Sequence, residues 1–416
     1  MRERCIYLIL FFAFIARLFF IYPAYSDENI YFNMAKNMAE KGLVPYRDFF
    51  YAHPPFHLLL LFALFKLFGP NMYLGKLLPL LSVLVSSFLL SEIYSLFFKR
   101  RKPYLSLLFF FSPQALSFGT VGYGMWPPLM LSLLSIYFFL KKKPLLSALS
   151  LIFACFFRYL FLLYFPILIT LFREKKKELR EFILYFLLFS SSFLLLSLIF
   201  GQKFLSQTIL YHLKSKMGAY QNPIFYSRYL TMNLPLLFIS FLFFLLSKER
   251  RLVFYLPFLL DAFLLAIFKV GFAHYFLISL PFYLFILASF EQKDILCLFF
   301  FLYVVLNYPS ILYHNTPNKG IEEVLRYFED KKGEVWGDSI LMNLVGFKHN
   351  LEIPFNEFDS DPIRMELNPD VLERIRARAP DYLVLSENSP RTFFFPGYSQ
   401  ELFAEGLPDF WVFHKI

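Results

Sequence analysis

Residues 22–42 read Tyr22-Pro-Ala-Tyr-Ser-Asp-Glu-Asn-Ile-Tyr-Phe-Asn-Met-Ala-Lys-Asn-Met-Ala-Glu-Lys-Gly42, directly after an apolar run over about 5–24. Ser26 is a residue type that caps helix N-termini, and Gly42 accepts the left-handed conformation that ends a helix. Between them Ile30, Met34 and Met38 recur every four residues, so the spacing predicts a helix with one apolar face. Its first turn carries Asp27 and Glu28, where unpaired backbone N–H groups and the helix dipole favour negative charge. Following a hydrophobic run, this pattern predicts a helix lying at the lipid surface with two carboxylates at its start.

The stretch continues through Gly42-Leu-Val-Pro-Tyr-Arg-Asp-Phe-Phe-Tyr-Ala-His-Pro-Pro55 into a 13-residue apolar run, 56–68. At 1.5 Å per residue that run cannot cross about 30 Å of hydrocarbon, so a second interfacial helix is expected. A loop of nearly fifty residues with two patterned helices is more than a connector needs.

The surroundings read as membrane. Of 416 residues 58% are hydrophobic and 17% charged, against about 45–50% and about 25% in soluble domains. Spans are expected near 5–24, 73–98, 104–118, 127–140, 145–157, 159–172, 181–200, 230–247, 252–268, 272–290 and 295–310, about eleven in all. Neither half of 145–172 reaches about 20 residues, so it reads as a hairpin or re-entrant pair turning at Arg158. Pro23-Ala24-Tyr25-Ser26 resembles a signal-peptide cleavage site, but the length of the first run and the many spans after it favour a retained span.

The formal charge of +10 is unevenly spread: residues 1–310 hold 30 Lys and Arg against 13 Asp and Glu, and residues 311–416 hold 11 against 18. The basic excess therefore belongs to the membrane part, which argues against a nucleic-acid partner. With the N-terminus inside, the basic loops 99–102, 141–143, 173–180 and 248–251, and the short loop 291–294, face the cytosol. Loops 25–72, 119–126, 201–229 and 269–274 then face outward, together with the C-terminal tail. That tail reads as a small α/β cap, with helices over 322–332 and 369–378 and strands at 334–336, 381–385 and 410–413. The expected division is a transmembrane domain, 1–310, and an extracytoplasmic α/β domain, 311–416. Cys5, Cys155 and Cys297 lie in apolar runs without CxxC spacing and are expected as buried thiols. Glu92 and Asp261, inside spans, read as helix-packing polar residues.

In chain order, the first span, Asp27-Glu28 with Tyr31 and Ala35, Gly42-Leu-Val-Pro-Tyr46, Asp48-Phe49, His53-Pro-Pro55 and Gly69 resemble the first outer loop of GT-C fold glycosyltransferases. The nearest likeness is to the protein O-mannosyltransferase and lipid A aminoarabinose transferase group. Lys76-Leu-Leu-Pro79 resembles that group's basic-Leu-Pro element, and His274-Tyr275 with Pro281 its aromatic-and-proline element. Element order is matched over residues 1 to about 290, with specific motifs confined to 22–81. The resemblance implies an all-α polytopic membrane protein with interfacial helices in the first outer loop and a small C-terminal α/β domain. It also implies a sugar donor on a polyprenyl phosphate and a first-loop acid as general base.

On that basis Asp27 is the expected base of an inverting transfer. Glu28 beside it either raises its proton affinity by like charge or orients the acceptor, whether glycolipid, glycan or protein. The leaving lipid phosphate needs fixed positive charge or donors, for which His53, Lys76, Arg158 and His274 are the candidates. Tyr31, Tyr46, Tyr123, Trp126 and Tyr275 are the candidate substrate contacts. Each also has a plainer role: helix capping for the acids, snorkelling for Lys76, turns for His53 and Arg158, a hydrogen-bonded interface histidine for His274, and an interfacial belt for the aromatics. Lys203, Tyr211, His212, Lys214, Lys216 and Arg228 on the third outer loop are further candidates for anionic lipid or diphosphate, or a solvated face.

The second outer loop, Gly119-Thr-Val-Gly-Tyr-Gly-Met-Trp-Pro-Pro128, departs from the family in lacking a carboxylate. A divalent metal ordinarily takes more oxygen ligands than the Asp27–Glu28 pair supplies, so metal-independent chemistry without a cofactor is expected. The rival reading is a lipid or polysaccharide transporter or flippase. Its usual signs, two matching halves with helices broken at mid-depth, are absent from the sequence.

Overall fold

Leu- and Phe-rich runs become helices because a helix satisfies every interior backbone N–H and C=O within its own segment. The computed structural model describes residues 3–215, 233, 236–242, 244–245, 252–268, 273–289, 293–360, 364–365, 368–393, 395–406 and 408–416. The chain divides into two compact units. The first comprises Met1–Phe20, Lys76–Gly201 and Leu210–Asn315; the second comprises Ile21–Gly75, Gln202–Ile209 and Thr316–Ile416.

The first unit is helical. Among its helices are Glu3–Leu18, most of Met72–Phe98, Tyr104–Phe110, Pro113–Phe118, Trp126–Leu140, Pro144–Phe157, Tyr164–Leu171, Leu256–Ile267, Leu280–Ser289 and Lys293–Leu306. Among the described residues Met72–Phe98 and Lys176–Phe200 are long and apolar enough to cross a membrane, and the other apolar helices are shorter. The run expected near 230–247 falls largely outside the described residues.

Interruptions have local causes. The Ser112 side chain accepts from the Ala115 N–H and starts the helix Pro113–Phe118. Arg158, extended at φ −153° and ψ 124°, ends Pro144–Phe157 before a 3-10 turn over Tyr159–Leu163, where the sequence places the turn. Small hydroxyl side chains draw neighbouring helices together. Ser135 Oγ donates to the Ser147 carbonyl and Ser147 Oγ to the Ser135 carbonyl, both at 2.8 Å. Asp261 accepts from the Tyr283 hydroxyl at 2.8 Å, joining Leu256–Ile267 to Leu280–Ser289. Cys155 is buried, but Cys5 is exposed on an apolar outward face shared with Leu8 and Phe12, correcting the expectation of a buried thiol there. The Cys297 side chain lies outside the described residues.

The second unit brings the helices Glu28–Lys41 and Phe56–Phe68 together with the C-terminal residues. A four-stranded sheet runs β1-β2-β4-β3, with β1 Val335–Gly337, β2 Tyr382–Ser386, β3 Tyr398–Ala404 and β4 Phe410–Lys415. β1 and β2 are parallel and the other pairs antiparallel. The parallel pair needs a crossover, which includes the helices Ser339–His349 and Pro369–Arg378. Gly337 has φ +140°, and a Cβ there would fall 2.0 Å from the Val384 carbonyl oxygen, so glycine is what lets β1 close on β2. Three strands and the helix Pro369–Arg378 lie where the sequence places them, whereas β3 and Ser339–His349 are additions.

Candidate functional site

The site begins where the first loop turns helical. The Ser26 carbonyl accepts from the Asn29 N–H and the Asp27 carbonyl from the Ile30 N–H, both at 3.1 Å. The helix thus starts after Asp27, which holds the N-cap position in the αR conformation without a side-chain cap bond. Ordinary capping does not account for this carboxylate. Asp27 is exposed, while Glu28 is fully buried at 0% exposure. At the far end Gly42 takes φ +70° and donates its N–H to the Met38 carbonyl, the stop that the sequence predicts.

Ile30, Met34 and Met38 are buried as expected, but so are Asn33 and Lys36 on the polar side. The helix expected at the lipid surface is thus covered by protein on its polar side as well as its apolar one. Phe32 meets Phe65 of Phe56–Phe68 at 6.2 Å between ring centres. Across the polar side, Asn33 Nδ2 donates to Asn343 Oδ1 at 3.0 Å. Lys36 Nζ donates to the Gly346 carbonyl at 3.1 Å, the Phe347 carbonyl at 2.8 Å and the Asn350 side chain. Desolvation holds the Lys36 ammonium below the ordinary lysine range, opposed in part by Glu40.

One turn beyond Asp27, Tyr31 opens an aromatic and imidazole cluster. Its ring lies edge-on to His57 at 5.2 Å, His53 at 6.0 Å and Tyr51 at 6.1 Å. The Tyr46 hydroxyl donates to the His53 carbonyl at 2.6 Å and so closes the segment between them. Gln207 Oε1 accepts from the Tyr51 N–H at 2.9 Å and its Nε2 donates to the Tyr46 carbonyl at 3.3 Å. Asp48 accepts from the Val44 N–H at 2.8 Å, and the Arg47 guanidinium holds its carboxyl below the usual carboxylate range. Asp27, Glu28, Tyr31, Tyr46 and His53 thus share the second unit. Tyr51, His57 and Gln207 are members that the sequence reading missed; His57 stands four residues after His53, the only local signal for it.

Lys203 also falls in the second unit, whereas Lys76, Tyr123, Trp126, Arg158, His274 and Tyr275 belong to the first. Arg158 donates to the Tyr123 carbonyl. The Tyr123 ring lies 5.0 Å from His274, which meets Tyr275 edge-on at 4.9 Å. Trp126, 1% exposed, donates its indole N–H to the Phe118 carbonyl at 2.8 Å. Lys76, 2% exposed, sits one turn into Met72–Phe98. Of the third-loop residues, Tyr211 and His212 are ring neighbours at 5.6 Å, and Lys216 and Arg228 lie outside the described residues.

No protein-family model matches the sequence, and no curated protein matches it. Solved structures do match. The crystal structure of ArnT from Cupriavidus metallidurans bound to undecaprenyl phosphate aligns over 98% of this chain and 97% of that one, with a TM-score of 0.60 and 11% identity. The apo ArnT structure aligns over the same shares at a TM-score of 0.59 and 12% identity. This chain has the ArnT fold. The ArnT fold is of the GT-C type that the first-loop motifs resemble, and the match runs through the C-terminal sheet as well as the helices. Sharing the ArnT fold at such low identity means that pattern and packing, rather than particular side chains, carry the architecture.

Proposed function

We propose that the chain is an integral membrane glycosyltransferase that moves a sugar from a polyprenyl phosphate to an acceptor at the outer face of the cytoplasmic membrane. The observation that carries this reading is the ArnT fold over 98% of the chain, shared with a protein seen bound to undecaprenyl phosphate. Asp27, exposed and free of a capping role at the start of the first-loop helix, adds the required carboxylate.

In this reading Asp27 takes the proton of the acceptor hydroxyl as that oxygen attacks the anomeric carbon. The bond from the sugar to the phosphate oxygen breaks on the opposite side, inverting the centre and releasing the polyprenyl phosphate. His53, Lys76, Arg158 and His274 supply positive charge or donors for the departing phosphate. Tyr31, Tyr46, Tyr123, Trp126 and Tyr275 contact the substrates, and Glu28 orients the acceptor. Two carboxylates fall short of the ligand set a divalent cation ordinarily takes, so the reaction runs without metal. About eleven spans, with the N-terminus in the cytosol, place 1–310 in the membrane and 311–416 outside it as a cap. The acceptor is a glycolipid, a glycan or a protein.

The test is Asp27→Asn in membrane vesicles supplied with an undecaprenyl-phosphate-linked hexose or pentose. Release of undecaprenyl phosphate is expected to fall by about 10²- to 10⁴-fold with the amount of folded protein unchanged. Full release by the variant overturns the reading and leaves transport of the lipid-linked sugar as the alternative.

A further inference from the structure

The helices Glu28–Lys41 and Ser339–His349 lie side by side and parallel, since Asn33 pairs with Asn343 and Lys36 with the Gly346 carbonyl at the same sequence offset of 310. Gly346 permits the approach, because a Cβ there would come within 3.0 Å of Asn33 Nδ2. Lys36 fastens the far end at the carbonyl terminus of Ser339–His349, where a cation is favoured. The near end is held by Asp338. Its Oδ1 accepts from the Ile340 and Leu341 N–H groups, both at 3.0 Å, and starts the helix. Its Oδ2 accepts from the Tyr25 hydroxyl at 2.6 Å and from the Ser386 hydroxyl at 2.7 Å. Tyr25 also packs against Phe410 of β4 at 5.4 Å between ring centres.

Tyr25 precedes Asp27 by two residues. The Tyr25–Asp338 bond holds the backbone that leads into Asp27, and a hydrogen bond to a carboxylate is a strong way to set that place. We infer that the C-terminal residues form the positioning frame of the proposed base. In that frame Tyr25, Asp338 and Ser386 register the start of the first-loop helix, and Asn33 and Lys36 register its length. This rests on Asp27 being the base. Tyr25 and Asp338 are positioning residues, each acting through the placement of Asp27.

The experiment uses the full chain in vesicles with an undecaprenyl-phosphate-linked hexose or pentose, and compares Tyr25→Phe, Asp338→Asn, their double variant and Asp27→Asn. Asn remains a good N-cap, so Asp338→Asn keeps the helix start and loses the anionic acceptor. Tyr25→Phe removes only a hydroxyl and carries the test alone if Asp338→Asn does not fold. Misplacing a reacting group by about 1 Å costs on the order of 100-fold, so each single variant is expected to lower kcat about 10- to 100-fold. Donor KM should stay within about twofold and the melting temperature should hold. The double variant should be no worse than the poorer single one, because both remove one contact. Wild-type kcat in Tyr25→Phe, a loss matched by loss of folded protein, or losses that multiply in the double variant overturn the inference while Asp27→Asn is inactive. An active Asp27→Asn overturns instead the reading of the base.

Discussion

Asp27 and Glu28 are chemically near-twins, adjacent in the chain, with opposite surroundings: the first is exposed and the second has no exposed surface. Replacing Asp27 by Ala at the exposed helix start should cost about 0.3–1 kcal/mol. Replacing the fully buried Glu28 by Ala empties an enclosed site and should cost about 1–3 kcal/mol. Thermal unfolding of the two detergent-solubilised variants checks the contrast. His349, half-buried near the end of its helix, makes a prediction about pH. Burial, with Lys348 and Lys36 nearby, holds its imidazole below the ordinary 6.5, opposed by Glu329 and a backbone bond at Leu325. As pH falls below about 6.5 the unfolded chain takes up the proton first, so stability is lost with acidification. His349→Gln should flatten the fall in melting temperature between about pH 7 and pH 5. The two acids were visible in the sequence as first-turn residues. Their difference in burial was not, because the partners that cover Glu28 are chosen by tertiary packing.

At the scale of elements, the legible parts were those with local punctuation. Gly42 ends its helix as written, Pro369 opens Pro369–Arg378, and the β-rich runs become β1, β2 and β4. The helix Ser339–His349 was missed because it is enclosed from Leu341 through Phe347, leaving no apolar stripe of helical period to read. Strand β3 was missed because Tyr398-Ser-Gln-Glu-Leu-Phe-Ala404 alternates weakly and stands at the sheet edge with partly exposed residues. The polar face of Glu28–Lys41, on which the sequence pattern is silent, binds a neighbouring helix. Lys36→Met tests that face: it leaves the carbonyls of Gly346 and Phe347 without their donor, and should cost about 2–3 kcal/mol. A double-mutant cycle with Asn33→Ala separates the ammonium from the amide pair.

At the scale of the whole molecule, an apolar composition, uneven charge and a patterned first loop pointed to a GT-C architecture, and the ArnT fold matches it. The sequence could not show that the first loop and the last hundred residues share one compact unit, since no local signal links positions so far apart. If the chain takes a polyprenyl phosphate, undecaprenyl phosphate at about 100 times its dissociation constant should add about 2.7 kcal/mol to stability. The readout is a rise in melting temperature that undecaprenol, lacking the phosphate, does not produce. Chelators are expected to leave sugar transfer unchanged, and strict dependence on added Mg or Mn would contradict the metal-free proposal.

The parallel pairing of Asn33 with Asn343 has a consequence for how the protein is born. Ribosomes make about 5–20 residues per second, so the 310 residues between these partners impose a wait of roughly 15–60 s. During that interval Asn33 and Lys36 are without the carbonyls and amide that receive them in the finished chain. Chains cut short before residue 338 are therefore expected to keep the early helix unfastened, open to proteases and chaperones.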